Sequence, residues 1–104
     1  MSDLLFDVFT PQGFSVRVSL AYWDVITGRK HPVIRGREQD IQKTLESPEE
    51  VRVSQSDPAV YLFYREDRPG RWLCAVAKRL NGDGFLITAY LTDAIKMGVR
   101  LWPR

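Results

Sequence analysis

The chain has little of what most often announces a mechanism. Its 104 residues include one cysteine, Cys74, and one histidine, His31. A lone cysteine excludes an internal disulfide, and no Cys/His cluster offers metal-ligand spacing. No apolar run approaches the ~18 residues of a membrane-spanning helix. The opening Met-Ser-Asp-Leu-Leu lacks the basic start and long apolar stretch of a signal peptide, so a cytoplasmic location is the default expectation. There is no Ser/His/Asp set, no glycine-rich phosphate loop and no convincing pair of carboxylates. Repeats, low-complexity stretches and long linkers are also missing. The composition therefore points to no cofactor and no metal.

What is present is ordinary globular material. Apolar residues make up 44 % of the chain, enough for one compact core, and the length suits a single domain over 1–104. Net charge is +2, too small to demand a nucleic-acid partner. Its distribution is uneven. Residues 1–28 carry Asp3, Asp7 and Asp24 against Arg17, whereas residues 29–43 carry Arg29, Lys30, Arg35, Arg37 and Lys43 against Glu38 and Asp40. Such a local basic excess suits a phosphate backbone, but a solvated helix face is the simpler and favoured account of it.

The apolar pattern divides the chain into elements. Residues 4–9 and 14–19, around Pro11-Gln12-Gly13, read as an N-terminal β-hairpin. Ser19 is placed to cap a helix whose apolar face holds Tyr22, Trp23 and Ile26 and which ends near Gly28. His31-Pro32 follows, and the proline biases His31 toward an extended backbone. A second helix is predicted over 35–45, with Ile34, Ile41 and Leu45 forming its apolar stripe. Ser47 and Pro48 would then start one further turn. Strands are predicted at 51–54, 59–65, 72–79 and 85–92, with Asn81-Gly82-Asp83-Gly84 as a strong hairpin signal. Residues 93–98 read as a short turn before the apolar tail Val99-Arg100-Leu101-Trp102, and an exposed Trp102 there would favour a protein interface.

The polar residues within the apolar strands are candidates for chemistry. Thr88 and Tyr90 share a face because i and i+2 point the same way. Lys78 shares a face with Val76 and Cys74. A three-residue hairpin loop pairing Leu80 with Gly84 would put Val76 beside Thr88 and bring Lys78 to the same side. A two-residue loop would put Lys78 and Thr88 on opposite faces. Histidine is the side chain that ordinarily titrates near neutral pH, which singles out His31. Each of these residues also has a plain structural reading: a loop histidine, good strand formers, and for Cys74 a small buried apolar group.

Four segments together carry a resemblance. They are the Trp23-centred helix leading to His31-Pro32, the helix end Thr44-Leu45-Glu46-Ser47-Pro48, the strand Tyr61-Leu62-Phe63-Tyr64-Arg65, and Gly84-Phe85-Leu86-Ile87-Thr88-Ala89-Tyr90 followed by Thr92-Asp93. In this order, over about residues 14–98, the sequence resembles the phage-associated branch of the barnase–EndoU–colicin–RelE-like (BECR) nuclease superfamily of small α+β ribonucleases. The resemblance implies two helices on one face of a four- or five-stranded antiparallel sheet, a core over 20–98, with the hairpin at 4–19 as an added embellishment. It also implies metal-independent endoribonuclease activity, in which the 2′-hydroxyl attacks the adjacent phosphate. His31 would be general base or acid. Lys78 and Arg65 would clamp the phosphate. Thr88 and Tyr90 would donate hydrogen bonds, Tyr90 as a possible second acid–base group. The implied partners are RNA and, if the protein is toxin-like, a neutralising protein. A catalytically inactive RNA- or protein-binding domain of the same fold is the alternative.

Overall fold

The computed structural model describes residues 3–96 and 98–102. Strands β1 (Leu4–Phe9) and β2 (Ser15–Ser19) form the expected hairpin, and Gly13 takes φ 88°, which the tight turn requires. Alternation in β2 buries Val16 and Val18 and exposes Arg17. Ser19 Oγ accepts the Tyr22 N–H at 3.1 Å and starts helix α1 (Leu20–Val25). The helix then widens. Thr27 Oγ1 donates to the Trp23 carbonyl at 3.0 Å, and the His31 N–H reaches back to the Ile26 carbonyl at 2.8 Å, five residues away. This π-type turn over Ile26–Lys30 and a 3-10 turn over Pro32–Ile34 set the position of His31 between them. Helix α2 (Glu38–Glu46) begins three residues later than the pattern suggested. Gly36, at φ 82°, breaks any helical path through Arg35–Arg37. Ser47 ends α2 and starts no further turn, because the Glu49 N–H already donates to Tyr64 O at 2.8 Å and opens the sheet ladder.

The fold is α+β, with the N-terminal hairpin expected from the sequence. The expectation of a four- or five-stranded antiparallel sheet needs correction. Among the described residues seven strands form one mixed sheet in the order β1-β2-β6-β5-β4-β3-β7. Strands β3 (Glu50–Ser54), β4 (Val60–Arg68), β5 (Arg71–Arg79) and β6 (Asp83–Thr92) make an antiparallel meander. The sheet grows at both edges. Strand β7 (Gly98–Trp102) pairs antiparallel with β3. On the other side β2 pairs with β6 in parallel, from Ser15–Asp83 to Arg17–Phe85. The hairpin is therefore built into the core. Phe6, Phe14, Val16 and Val18 are buried in the same cluster as the helices and the sheet. Gly84 permits this contact, since a β-carbon there would run into the Lys78 carbonyl and sit 3.1 Å from the Phe14 ring. Met97 and the side chains of Val99 and Trp102 lie outside the described residues, and the reading of the apolar tail falls there.

The two faces of the sheet differ. One carries Val51, Phe63, Leu73, Ala75, Ala77, Leu86 and Ala89 against Trp23, Ile26, Ile34, Ile41 and Leu45. Among the described residues the other face has no helix. It holds a smaller cluster of Leu62, Tyr64, Cys74 and Val76, on which Ile95 packs from the segment joining β6 to β7. Strands β6 and β7 lie four strand steps apart, about 19 Å at ordinary spacing, and residues 93–96 run over this open face as a strap. No helix among the described residues is long and apolar enough to cross a membrane.

Candidate functional site

Hairpin register decides what shares the open face. At the tip Arg79 pairs with Gly84 and the Leu80 N–H donates to Asp83 O at 2.8 Å, so Asn81 and Gly82 close a two-residue turn. That register alone would send Thr88 to the helix side. A bulge intervenes, since Ala77 pairs with Leu86 but Val76 pairs with Thr88. The extra residue, Ile87, shifts the ladder by one. Thr88 and Tyr90 thereby come to the face of Val76, Cys74 and Lys78. The bulge also leaves the Ile87 carbonyl at the strand edge, where it accepts the Tyr22 hydroxyl at 2.7 Å.

Beyond Phe85 strand β2 has left the edge of β6, and the chain from α1 through Ile34 fills the gap. His31 therefore reaches around that edge. Its ring lies 5.4 Å from the Tyr90 ring, centroid to centroid, with the planes 39° apart. From the other side Lys96, on the strap, places Nζ 5.7 Å from the Tyr90 centroid. The strap is pinned there by its own backbone: the Lys96 N–H donates to the Tyr64 hydroxyl at 3.1 Å. His31 and Tyr90 are partly exposed and Lys96 is exposed.

The hydroxyls beneath this surface are sealed. Tyr90 Oη and Thr88 Oγ1 are both shielded from solvent and neither makes a hydrogen bond of ordinary geometry among the described residues. Tyr90 Oη does lie close enough to the Cys74 thiol and the Tyr64 hydroxyl to be perturbed by them. Burial foremost, then Cys74 and Tyr64, holds the Tyr90 hydroxyl far above the ordinary tyrosine range. Burial likewise pushes Tyr64 up to about 12 and Cys74 up to about 12. All three keep their protons at neutral pH, so Cys74 is an inert thiol.

The structure thus brings His31, Tyr90 and Thr88 together, though not with the groups expected to act. Tyr90 presents its ring, and its hydroxyl points inward, away from any substrate on this surface. Lys78 is on the right face, but its Nζ is 3.4 Å from Asp57 Oδ2 and it pairs with Phe85, toward the hairpin tip. Arg65 is not brought to the site. It pairs with Leu73 on the helix side, and its Nη1 donates to Ser47 O at 2.8 Å. There it lines a polar cleft with Arg37, Lys43 and Asp67, in which Arg37 holds Asp67 at 2.6 Å and keeps its carboxyl below the usual range. Strand alternation explains the placement: Tyr64 faces the open side, so Arg65 cannot.

Lys96 was missed by the sequence reading. A single lysine in a short polar connection has no periodicity and no motif, so nothing local marks it. Among the described residues no group of three or more His, Cys, Asp or Glu side chains is placed to hold a metal. No family model matches the chain, and no curated protein or solved structure was found to be similar to it.

Proposed function

We propose that the open face of the sheet binds a single RNA strand and that His31 promotes its cleavage, making the protein a metal-independent endoribonuclease. The observation that carries this reading is the packing of His31, the one histidine, on the partly exposed Tyr90 ring with Lys96 beside it.

The chemistry needs little from the protein because the nucleophile belongs to the substrate. His31 takes the proton of a 2′-hydroxyl, the O2′–P bond forms, and the P–O5′ bond breaks to leave a 2′,3′-cyclic phosphate. Attacking and leaving oxygens lie on opposite sides of phosphorus, so one imidazole serves only one of them. With the Tyr90 hydroxyl sealed, the departing 5′-oxygen takes its proton from water. The Tyr90 and His31 rings offer an aromatic surface of the kind on which unpaired bases stack, worth roughly 1–3 kcal/mol per base.

The reading is tested by incubating the protein with RNA in EDTA. The expected products carry 2′,3′-cyclic phosphate ends, and His31→Ala is expected to lower the rate by at least ~100-fold, the usual scale of general acid–base catalysis. No cleavage by the wild-type protein, or full cleavage by His31→Ala, would overturn it.

One observation favours a second reading. With Tyr90 Oη enclosed, the hydroxyl expected as a second acid–base group is not presented to a substrate, which suits a domain that binds RNA without turnover. Tight binding with no products is its signature.

A further inference from the structure

We propose that Lys96 is the cation that holds the phosphodiester at this site, and that the groove it shares with Ser54, Gln55 and Ser56 takes the sugar–phosphate of the neighbouring nucleotide. The inference rests on the RNA-binding part of the reading above and assigns that role to a residue outside the expected set.

The cations around the His31–Tyr90 surface differ in what already holds them. Arg65 lies behind the sheet on the Ser47 carbonyl. Lys78 is drawn to Asp57. Lys30 turns to Tyr22, with Nζ 3.2 Å from the hydroxyl and 5.5 Å from the ring centroid. Lys96 is exposed, stands over Tyr90, and among the described residues pairs with no carboxylate. Its backbone position is fixed from below by the Tyr64 hydroxyl and by Ile95 in the small cluster. A cation on a pinned backbone needs little ordering on binding.

A second observation gives the site an extent. Lys96 also borders an open groove of about 360 Å³ lined by Ser54, Gln55 and Ser56. Ser54 Oγ lies 3.1 Å from Ser56 Oγ and accepts the Ser56 N–H at 3.3 Å, so these hydroxyls sit as a pair at the groove wall. One strand laid from His31 over Tyr90 and past Lys96 would enter this groove. Hydroxyls and a side-chain amide there are suited to sugar and phosphate oxygens, which carry no base information.

The test uses the full chain and a short 2′-O-methyl RNA oligonucleotide, which cannot be cleaved, with affinity followed by fluorescence anisotropy across a salt series. Loss of one phosphate contact to a single strand lowers the slope of log K against log salt by about 0.7. Lys96→Gln is expected to weaken binding and reduce the slope by about that amount, Lys96→Arg to restore most of it, and Lys43→Gln, on the helix side, to leave it unchanged. Ser56→Ala is expected to weaken binding without changing the slope. An unchanged slope in Lys96→Gln, an equal change in Lys43→Gln, or no binding by the wild type would each overturn the proposal. Binding that depends on Lys96, together with no cleavage of unmodified RNA in EDTA, would overturn the catalytic reading alone.

Discussion

The two faces of one sheet do different work with the same strands. On β5 the residues turned to the helices are Leu73, Ala75 and Ala77, while those turned the other way are Cys74, Val76 and Lys78. Apart from Phe63, the covered face presents small and branched apolar groups to the helices. The open face buries hydroxyls and a thiol under a short strap, and among the described residues two of those hydroxyls make no hydrogen bond of ordinary geometry. A buried polar group that stays unpaired costs about 1–3 kcal/mol, so the open face is under poorer stability terms than the covered one. The contrast separates a face organised for packing from a face organised around polar groups.

The largest effect that sharpens this contrast is expected in the covered core. Phe63→Ala should destabilise the protein by about 3–5 kcal/mol in urea titration, since Phe63 is fully buried. Leu62→Ala, next to it but under the strap, should cost about 2 kcal/mol, because the strap can settle into the space. Equal losses would mean that the two faces are equivalent cores.

The next effect is a pH dependence confined to the open face. The unfolded chain releases the Cys74 and Tyr64 protons near the ordinary values of 9.0 and 10.0, whereas the folded chain holds both to about 12. The folded state therefore binds more protons between pH 9 and 12, and stability must fall as pH rises through that window. Below pH 9 these groups contribute no dependence. At ~1.4 kcal/mol per unit, Cys74 alone amounts to roughly 4 kcal/mol by pH 12. Cys74→Ala should flatten the first part of the fall, and a stability curve level to pH 11 would contradict the burial of these groups.

A smaller effect has the opposite sign. Thr88→Val should stabilise the protein by up to about 1 kcal/mol, because it removes a buried hydroxyl with no partner and keeps the shape. Tyr90→Phe should be neutral or slightly stabilising for the same reason, and should retain cleavage, since the ring remains. Loss of stability in both variants would show that the hydroxyls have partners after all. The smallest effect is that of His31→Ala, expected within about 1 kcal/mol of wild type in stability because His31 is partly exposed at the sheet edge.

Much of the fold was legible in residue patterns. The Ser19 cap, the alternation in β2, the β-formers of β4 to β6 and the turn at Asn81-Gly82 are local signals, and each leads to its observed element. What was not legible is non-local. Nothing in residues 14–19 says that they pair in parallel with β6, and nothing in 98–102 says that they pair with β3. A strand sequence states that it will pair, not with what. The site shows the same division. Thr88 and Tyr90 were readable as a pair on one face, but their agreement with Cys74 and Val76 depends on the bulge at Ile87, which no residue type announces. Arg65 was placed with the site through likeness of sequence, and simple alternation from Tyr64 puts it on the other side. Lys96 comes into play only because the strap crosses the sheet.

The most direct test is a backbone amide chemical-shift titration of the labelled protein with the 2′-O-methyl oligonucleotide. The expected shifts cluster at His31, Thr88 to Tyr90, Lys96 and Ser54 to Ser56, with Ile41 and Leu45 of α2 unmoved. Shifts gathered instead around Arg65, Lys43 and α2, or no shifts at all, would contradict the assignment of the open face as the working face.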